Sequence, residues 1–186
     1  MKQEPEIELR GAELADRERI YRWLAHSDAT AEMMGPPRFS DHPVPTYAEF
    51  CEDYGDSFFA CNDDERLFVI SVQGRDIGAV SLSVCDGAAE LDIWIASRRH
   101  WGRRFGPAAI EAVTALLERQ RRVAAIVMRP SSRNARAIAS YGRSGFEPYD
   151  SLRHKVPAWC LESGFDYDDA VVLVRMTDAV REPNGH

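Results

Sequence analysis

Three groups of residues in this chain have types and spacings that could do chemistry. Tyr141 stands seven positions after Asn134 in the run Asn134-Ala-Arg-Ala137-Ile138-Ala-Ser-Tyr141-Gly-Arg-Ser-Gly145-Phe146, and its phenol is a neutral proton donor at pH 7. Glu90 and Asp92 alternate in Glu90-Leu-Asp-Ile-Trp94-Ile95, where a carboxylate could take a proton or position a cation. Arg98-Arg-His-Trp101-Gly102-Arg103-Arg104-Phe105-Gly106-Pro107 sets two glycines and four arginines at a passage from strand to helix. Backbone amides, a positive helix end and guanidinium groups at such a passage can hold a pyrophosphate. Each group also has a plainer reading. By spacing alone Tyr141 reads as a core aromatic, the two carboxylates as an exposed sheet face, and the Gly-x-x-x-Gly run as an ordinary turn.

The elements that must position these groups follow from periodicity. Ala137, Ile138 and Tyr141 recur at intervals of three and four, so they share one face of a short helix that Asn134 caps and Gly145 stops. Alternation in the carboxylate strand puts Leu91, Ile93 and Ile95 on one face and Glu90, Asp92 and Trp94 on the other. Phe105–Glu118 reads as a helix with Pro107 in its first turn, where no intrahelical amide donor is needed.

Upstream, Ile7–Arg10 is a strand candidate, and Asp16–Ala25 is a helix with Ile20, Tyr21, Trp23 and Leu24 on one face. Thr46 with Glu49 forms a capping box that opens a second helix. Between these helices, Gly35–Pro37 and His42–Pro45 break regular structure into a substantial loop. Leu67–Val72, the turn Gly74–Asp76 and Ile77–Val84 form a hairpin. Val123–Met128, Phe146–Val156 and Ala170–Met176 supply the remaining strands, with Trp159–Asp169 as a connection. The order is β-α-α-β-β-β-α-β-α-β-β. That is an α/β fold with a mixed, twisted sheet of about seven strands flanked by four helices, and residues 1–186 read as one domain.

The net charge of −7 conceals a division. Arg98–Arg143 holds eleven arginines against only Glu111 and Glu118, a balance of +9 that leaves −16 for the rest. An acidic remainder would repel a nucleic-acid duplex, so the basic stretch suits a compact polyphosphate better. Glu49, Glu52, Asp53 and Asp56 form an acidic run that reads either as a solvated helix face or as an attraction for a cation, with Trp23, Phe39 and Tyr47 as candidate pocket walls. Cys51, Cys61, Cys85 and Cys160 lack metal-ligand or C-x-x-C spacing, and so do His26, His42, His100 and His154; free thiols and no metal are expected. The chain shows neither a secretory leader nor an apolar run of membrane-spanning length, which leads to an expected cytoplasmic location.

Asparagine, a small residue at plus three, tyrosine at plus seven and Gly-Phe at plus eleven and twelve resemble the last conserved block of the GNAT acetyltransferase superfamily. The likeness extends from Leu67 to Phe146. The motifs are most similar to those of aminoglycoside 6'-N-acetyltransferases and ribosomal-protein N-terminal acetyltransferases. It implies a direct acetyl transfer from acetyl-CoA, as cosubstrate, to a primary amine of a small cationic acceptor, by a monomer or homodimer. It implies that Gly102, Arg103, Arg104, Phe105, Gly106 and Pro107 contact the phosphates. The pantetheine arm would pair with the backbone of Trp94 and Ile95, and Asn134 would bond it from the other side. Tyr141 would face the sulfur as proton donor, and Asp92 or Glu90 would act as base. In the family's loop pattern Trp101 takes the place of an arginine or glutamine, and Arg104 that of the central glycine. Two rivals remain: protein N-terminal acetylation, suggested by Glu90 and the Trp-Gly pair, and a non-catalytic acyl-CoA sensor, suggested by Arg104.

Overall fold

A computed structural model describes residues 5–33, 44–60, 62–120, 123–162, 167 and 169–177. The loop breakers Gly35–Pro37 and His42–Pro43, together with Phe39, Cys61, Arg121, Arg122 and part of the Trp159–Asp169 connection, lie outside the described residues. The elements run β1 (Glu8–Gly11), α1 (Arg17–Ala25), α2 (Thr30–Met33), α3 (Tyr47–Asp53), β2 (Glu65–Val72), β3 (Arg75–Cys85), β4 (Ala88–Ile95), α4 (Phe105–Gln120), β5 (Ala125–Met128), α5 (Ala135–Arg143), β6 (Glu147–Pro148) and β7 (Leu173–Met176). One seven-stranded sheet has the order β1-β2-β3-β4-β5-β7-β6. Among the described strands only the β4–β5 pair is parallel.

Two layers cover the sheet. On one face, α4 and α5 deliver Ile110, Val113, Leu117 and Tyr141 against Ile70, Leu82, Leu91 and Ile126. On the other, α1 and α3 bring Ile20 and Phe50 against Leu67, Val69, Ala79 and Trp94. The alternation expected in β4 therefore holds, and it sends Trp94 into the second core at 2% exposure. Gly78 of β3 makes that possible: a Cβ there would stand 2.4 Å from the Trp94 carbonyl oxygen, so only glycine lets the two backbones lie this close.

The decisive topological feature is where β4 and β5 part. They pair through Ala88–Ala125, Ala89–Ile126 and Glu90–Val127 and no further. Beyond Glu90, β4 continues to Ile95 on the β3 side alone, while β5 runs on to Met128 against β7. A wedge opens between the two strands, and among the described residues no strand pairs with the β5-facing main-chain edge from Leu91 to Ile95.

Three expectations need correction. The strand expected over Phe146–Val156 is reduced to Glu147–Pro148. Proline has no N–H to extend the ladder, and Asp150 then draws the chain into a turn: its carboxylate accepts from Leu152 N at 2.8 Å and its carbonyl from His154 N at 2.8 Å. The last strand begins at Leu173, with Ala170 making only an isolated bridge to Ser131. A short helix, α2, also intervenes between the two expected N-terminal helices.

Candidate active site

Residues on both sides of the wedge, Glu90–Ile95 of β4 and Met128 of β5, line a cavity of about 950 Å³. Its wall includes Glu90, Asp92, Trp94, Ile95, Gly106, Asn134 and Tyr141, seven of the residues singled out from sequence. Gly102, Arg103, Arg104, Phe105 and Pro107 do not line it; the loop reaches the cavity through Trp101 and Gly106.

Tyr141 is placed by α5. The Asn134 side-chain oxygen accepts from Ala137 N at 3.1 Å, so the cap is formed as its residue type predicts. That bond commits the Asn134 carbonyl oxygen to the helix and leaves its NH2 as the group with donors to offer. Ala137 and Tyr141 are buried on one face at 8% exposure each. Burial pushes the phenol's pKa well above its ordinary value; the Asp92 charge adds to the rise, and Arg136 opposes it. Tyr141 is consequently a neutral donor at any physiological pH.

The two carboxylates of β4 differ. Asp92 is exposed into the cavity, accepts from the Ile93 amide at 2.8 Å and receives the Tyr54 hydroxyl at 3.3 Å. Glu90 forms an ion pair with Arg129, whose side chain is 8% exposed and also reaches the Trp159 carbonyl oxygen at 3.5 Å. Thirty-nine residues separate the partners, and the parallel β4–β5 register brings them together.

The strand-to-helix loop is built for close approach. Ser97 accepts from Arg99 N to start a tight turn over Arg98–His100. Gly102 then adopts φ 73° and Arg104 φ 65°. The position where the family pattern has glycine thus keeps the left-handed conformation, with arginine bearing a cost of about 1–2 kcal/mol. Ala108 N donates to the Arg104 carbonyl at 3.0 Å as the first helical bond. Phe105 and Gly106 precede that donor, so their amides are the first-turn N–H groups with no intrahelical acceptor. The Phe105 ring is buried in the α4 core, which leaves its main chain as the part that can meet a ligand.

Charge along the cavity is uneven. Glu49, Glu52 and Asp53 of α3 line it with Glu90 and Asp92, against the cations Arg129 and Arg136. Asp56 does not take part; it pairs with Arg17 at 2.5 Å. Neither Trp23 nor Tyr47 lines the cavity. Trp23 packs against the second core and carries Arg19 over its ring, and Tyr47 is 44% exposed. No group of three or more potential metal ligands occurs among the described residues, and none of their helices is long and apolar enough to cross a membrane.

Sequence reasoning missed Tyr54, Arg129 and Arg136, and it gave Trp101 a place in the loop pattern without a contact. Trp101 and Arg136 stack in the cavity wall, with the Arg136 guanidinium carbon 3.5 Å from the Trp101 ring centroid. The available signal was positional: Arg136 lies two residues past the cap of the tyrosine helix, and Trp101 lies immediately before Gly102.

Residues 6–147 match the acetyltransferase (GNAT) domain family. No curated sequence matches the chain significantly. Among solved structures, the aminoglycoside acetyltransferase AAC(6')-Ib in complex with coenzyme A is similar at TM-score 0.68 and 22% identity, over 94% of this chain and 96% of that one. The ribosomal-protein-S18-alanine N-acetyltransferase from Escherichia coli is similar at TM-score 0.67 and 16% identity, over 97% and 99%. Spermidine N-acetyltransferase from Vibrio cholerae, in complex with CoA and spermine, follows at TM-score 0.65 and 20% identity, over 92% and 95%.

Proposed function

Because the chain belongs to the GNAT acetyltransferase family, we propose that it transfers acetyl from acetyl-CoA directly to a primary amine of a small cationic acceptor. The observation that carries this reading is the cavity in which Asp92 and Tyr141 share a wall with Glu49, Glu52 and Asp53. Amine acetylation needs a deprotonated nitrogen, a polarised thioester carbonyl and a proton for the departing thiolate.

Asp92 serves the first need: it holds the acceptor ammonium and takes its proton, directly or through water. We assign this role to Asp92 over Glu90 because the Glu90 carboxylate is already engaged by the Arg129 guanidinium, whereas Asp92 is exposed into the cavity. Tyr141 serves the third need, its phenol kept protonated by burial. The β4 edge at Trp94 and Ile95, bonded to β3 on one side only, suits the amide-bearing pantetheine arm, which can add to it as a further strand would. Asn134 faces that arm with its NH2. The amides of Phe105 and Gly106, with Arg103 and Arg104 beside them, suit the phosphates.

The carboxylates of α3 favour an acceptor with more than one positive charge. Solved neighbours support the class: AAC(6')-Ib has been captured with kanamycin and coenzyme A, and the Vibrio cholerae enzyme with spermine. Thiol release from acetyl-CoA, measured across aminoglycosides, polyamines, amino acids and N-terminal peptides, tests the proposal. Release with polycations is the expected result. Release with peptides alone would transfer the reading to protein N-terminal acetylation, and tight acetyl-CoA binding with no release against any amine would make the protein a sensor.

A further inference from the structure

We propose that Arg136, stacked on the Trp101 indole, holds the diphosphate of the cosubstrate together with the amides of Phe105 and Gly106. The inference rests on the acetyl-CoA reading above and adds to it a binding pair that the loop itself does not contain. Three observations carry it.

The first is the position of the stack. Trp101 belongs to the loop between β4 and α4, Arg136 to the first turn of α5, and both line the cavity. Gly106 lines the same cavity, so an anion resting on the α4 amides shares its wall with Trp101 and the guanidinium stacked on it. The second is orientation. With its carbon 3.5 Å from the ring centroid, the guanidinium presents a face to the indole. Its N–H groups lie in its own plane, parallel to the ring and not aimed at it, the arrangement that can grip a phosphate in bidentate fashion. The third is charge balance. Among the described residues no carboxylate comes within ion-pair distance of Arg136. Glu32, a carboxylate whose charge acts on it after Tyr141, is instead bonded to Arg98 at 2.7 Å. Partial burial disfavours the Arg136 charge, which an arriving anion would relieve.

The pair also answers the departure at Arg104. Arg104 keeps the left-handed backbone but puts a side chain where the pattern has glycine. A guanidinium from α5 adds a contact to the diphosphate from outside the loop. Arg136 is in this view a binding residue for the diphosphate, with Trp101 as the platform that fixes its plane.

Affinity measurements separate this from a merely structural stack. Calorimetry gives the Kd of CoA and of dephospho-CoA, and an NMR titration gives that of pantetheine, which has no diphosphate. Arg136→Gln is expected to weaken CoA and dephospho-CoA alike by about tenfold and to leave pantetheine unchanged. Arg136→Lys is expected to keep only part of the affinity, because an ammonium lacks the planar fork. Trp101→Leu is expected to weaken both nucleotides by about threefold by releasing the guanidinium from its platform.

Unaltered CoA affinity in Arg136→Gln would overturn the proposal. So would a loss shared with pantetheine, which would put Arg136 on the arm, or a loss confined to CoA, which would put it on the 3'-phosphate. Should Arg136→Gln fail to fold, the lysine variant carries the same comparison. Failure of wild-type protein to bind CoA would instead sink the acetyl-CoA reading, an outcome distinct from any of these.

Discussion

Replacing Tyr141 by phenylalanine removes one oxygen from a side chain that is 8% exposed, in a wall shared with Asp92. Burial, then the Asp92 charge, keeps that oxygen protonated, so the phenol has a proton to give at every pH at which an amine is acetylated. A positioned general acid contributes about 10²- to 10⁴-fold. The expected fall in kcat is therefore two to four decades, about 2.7–5.4 kcal/mol of barrier at 1.36 kcal/mol per decade. The ring stays, with its packing against Phe146, so the Kd of acetyl-CoA should move by less than about threefold, as for an interaction made only in the transition state. Steady-state kinetics with the acceptor found by thiol release, and calorimetry with acetyl-CoA, read the two quantities separately. Alkaline stability gives a second observable. The folded pKa lies above the unfolded value near 10, so the contribution of the neutral phenol is complete below about pH 10 and is lost as pH rises through and beyond it. Tyr141→Phe should lack that loss. Turnover within about threefold of wild type would refute the acid role, whatever the alkaline titration shows.

Other perturbations probe different parts of the molecule. Asp92→Asn should lose activity at neutral pH and recover part of it as pH rises and the acceptor amine deprotonates unaided; a ratio to wild type that stays flat across pH would count against the base. Asp16 accepts both guanidinium nitrogens of Arg10, at 2.6 and 3.0 Å, and also pairs with Arg19. The Arg10 bonds lead in holding its pKa down at about 2. Its contribution of about 2 kcal/mol is present above the unfolded value near 4 and lost as pH falls from there through 2. Urea unfolding of Asp16→Asn should show the deficit at pH 7 and almost none at pH 2, and an equal deficit at both would remove the ion pair from the account. Arg104→Gly should raise stability by about 0.5–1 kcal/mol, left-handed strain relieved less the chain entropy of glycine; a lower urea midpoint would show that φ 65° is no burden there.

Part of the site could be read from the chain because its causes are local. The Thr46–Glu49 capping box forms as its letters indicate, with Thr46 N donating to the Glu49 carboxylate at 2.7 Å. The Asn134 cap, the buried Ala137–Tyr141 stripe and the two faces of β4 likewise depend on periods of three to four or of two within a dozen residues. Local signals misled where a neighbour competed. Phe146–Val156 has strand-like residues, yet Pro148 removes a ladder donor and Asp150 offers the backbone its own bonds.

What sequence alone determined is on which helix or strand each candidate side chain rides. The tertiary structure decided which of them meet. Glu90 and Arg129 lie 39 residues apart, and no local rule pairs them; the parallel β4–β5 register does, and it separates the two carboxylates that the strand presents alike. Trp101 and Arg136 come from different elements and touch because α4 and α5 cover the same sheet face. The cavity itself exists because two strands stop pairing after Glu90. Capping and periodicity are properties of a few adjacent residues. Register, divergence and cross-cavity contact arise only when distant segments compete for the same surface.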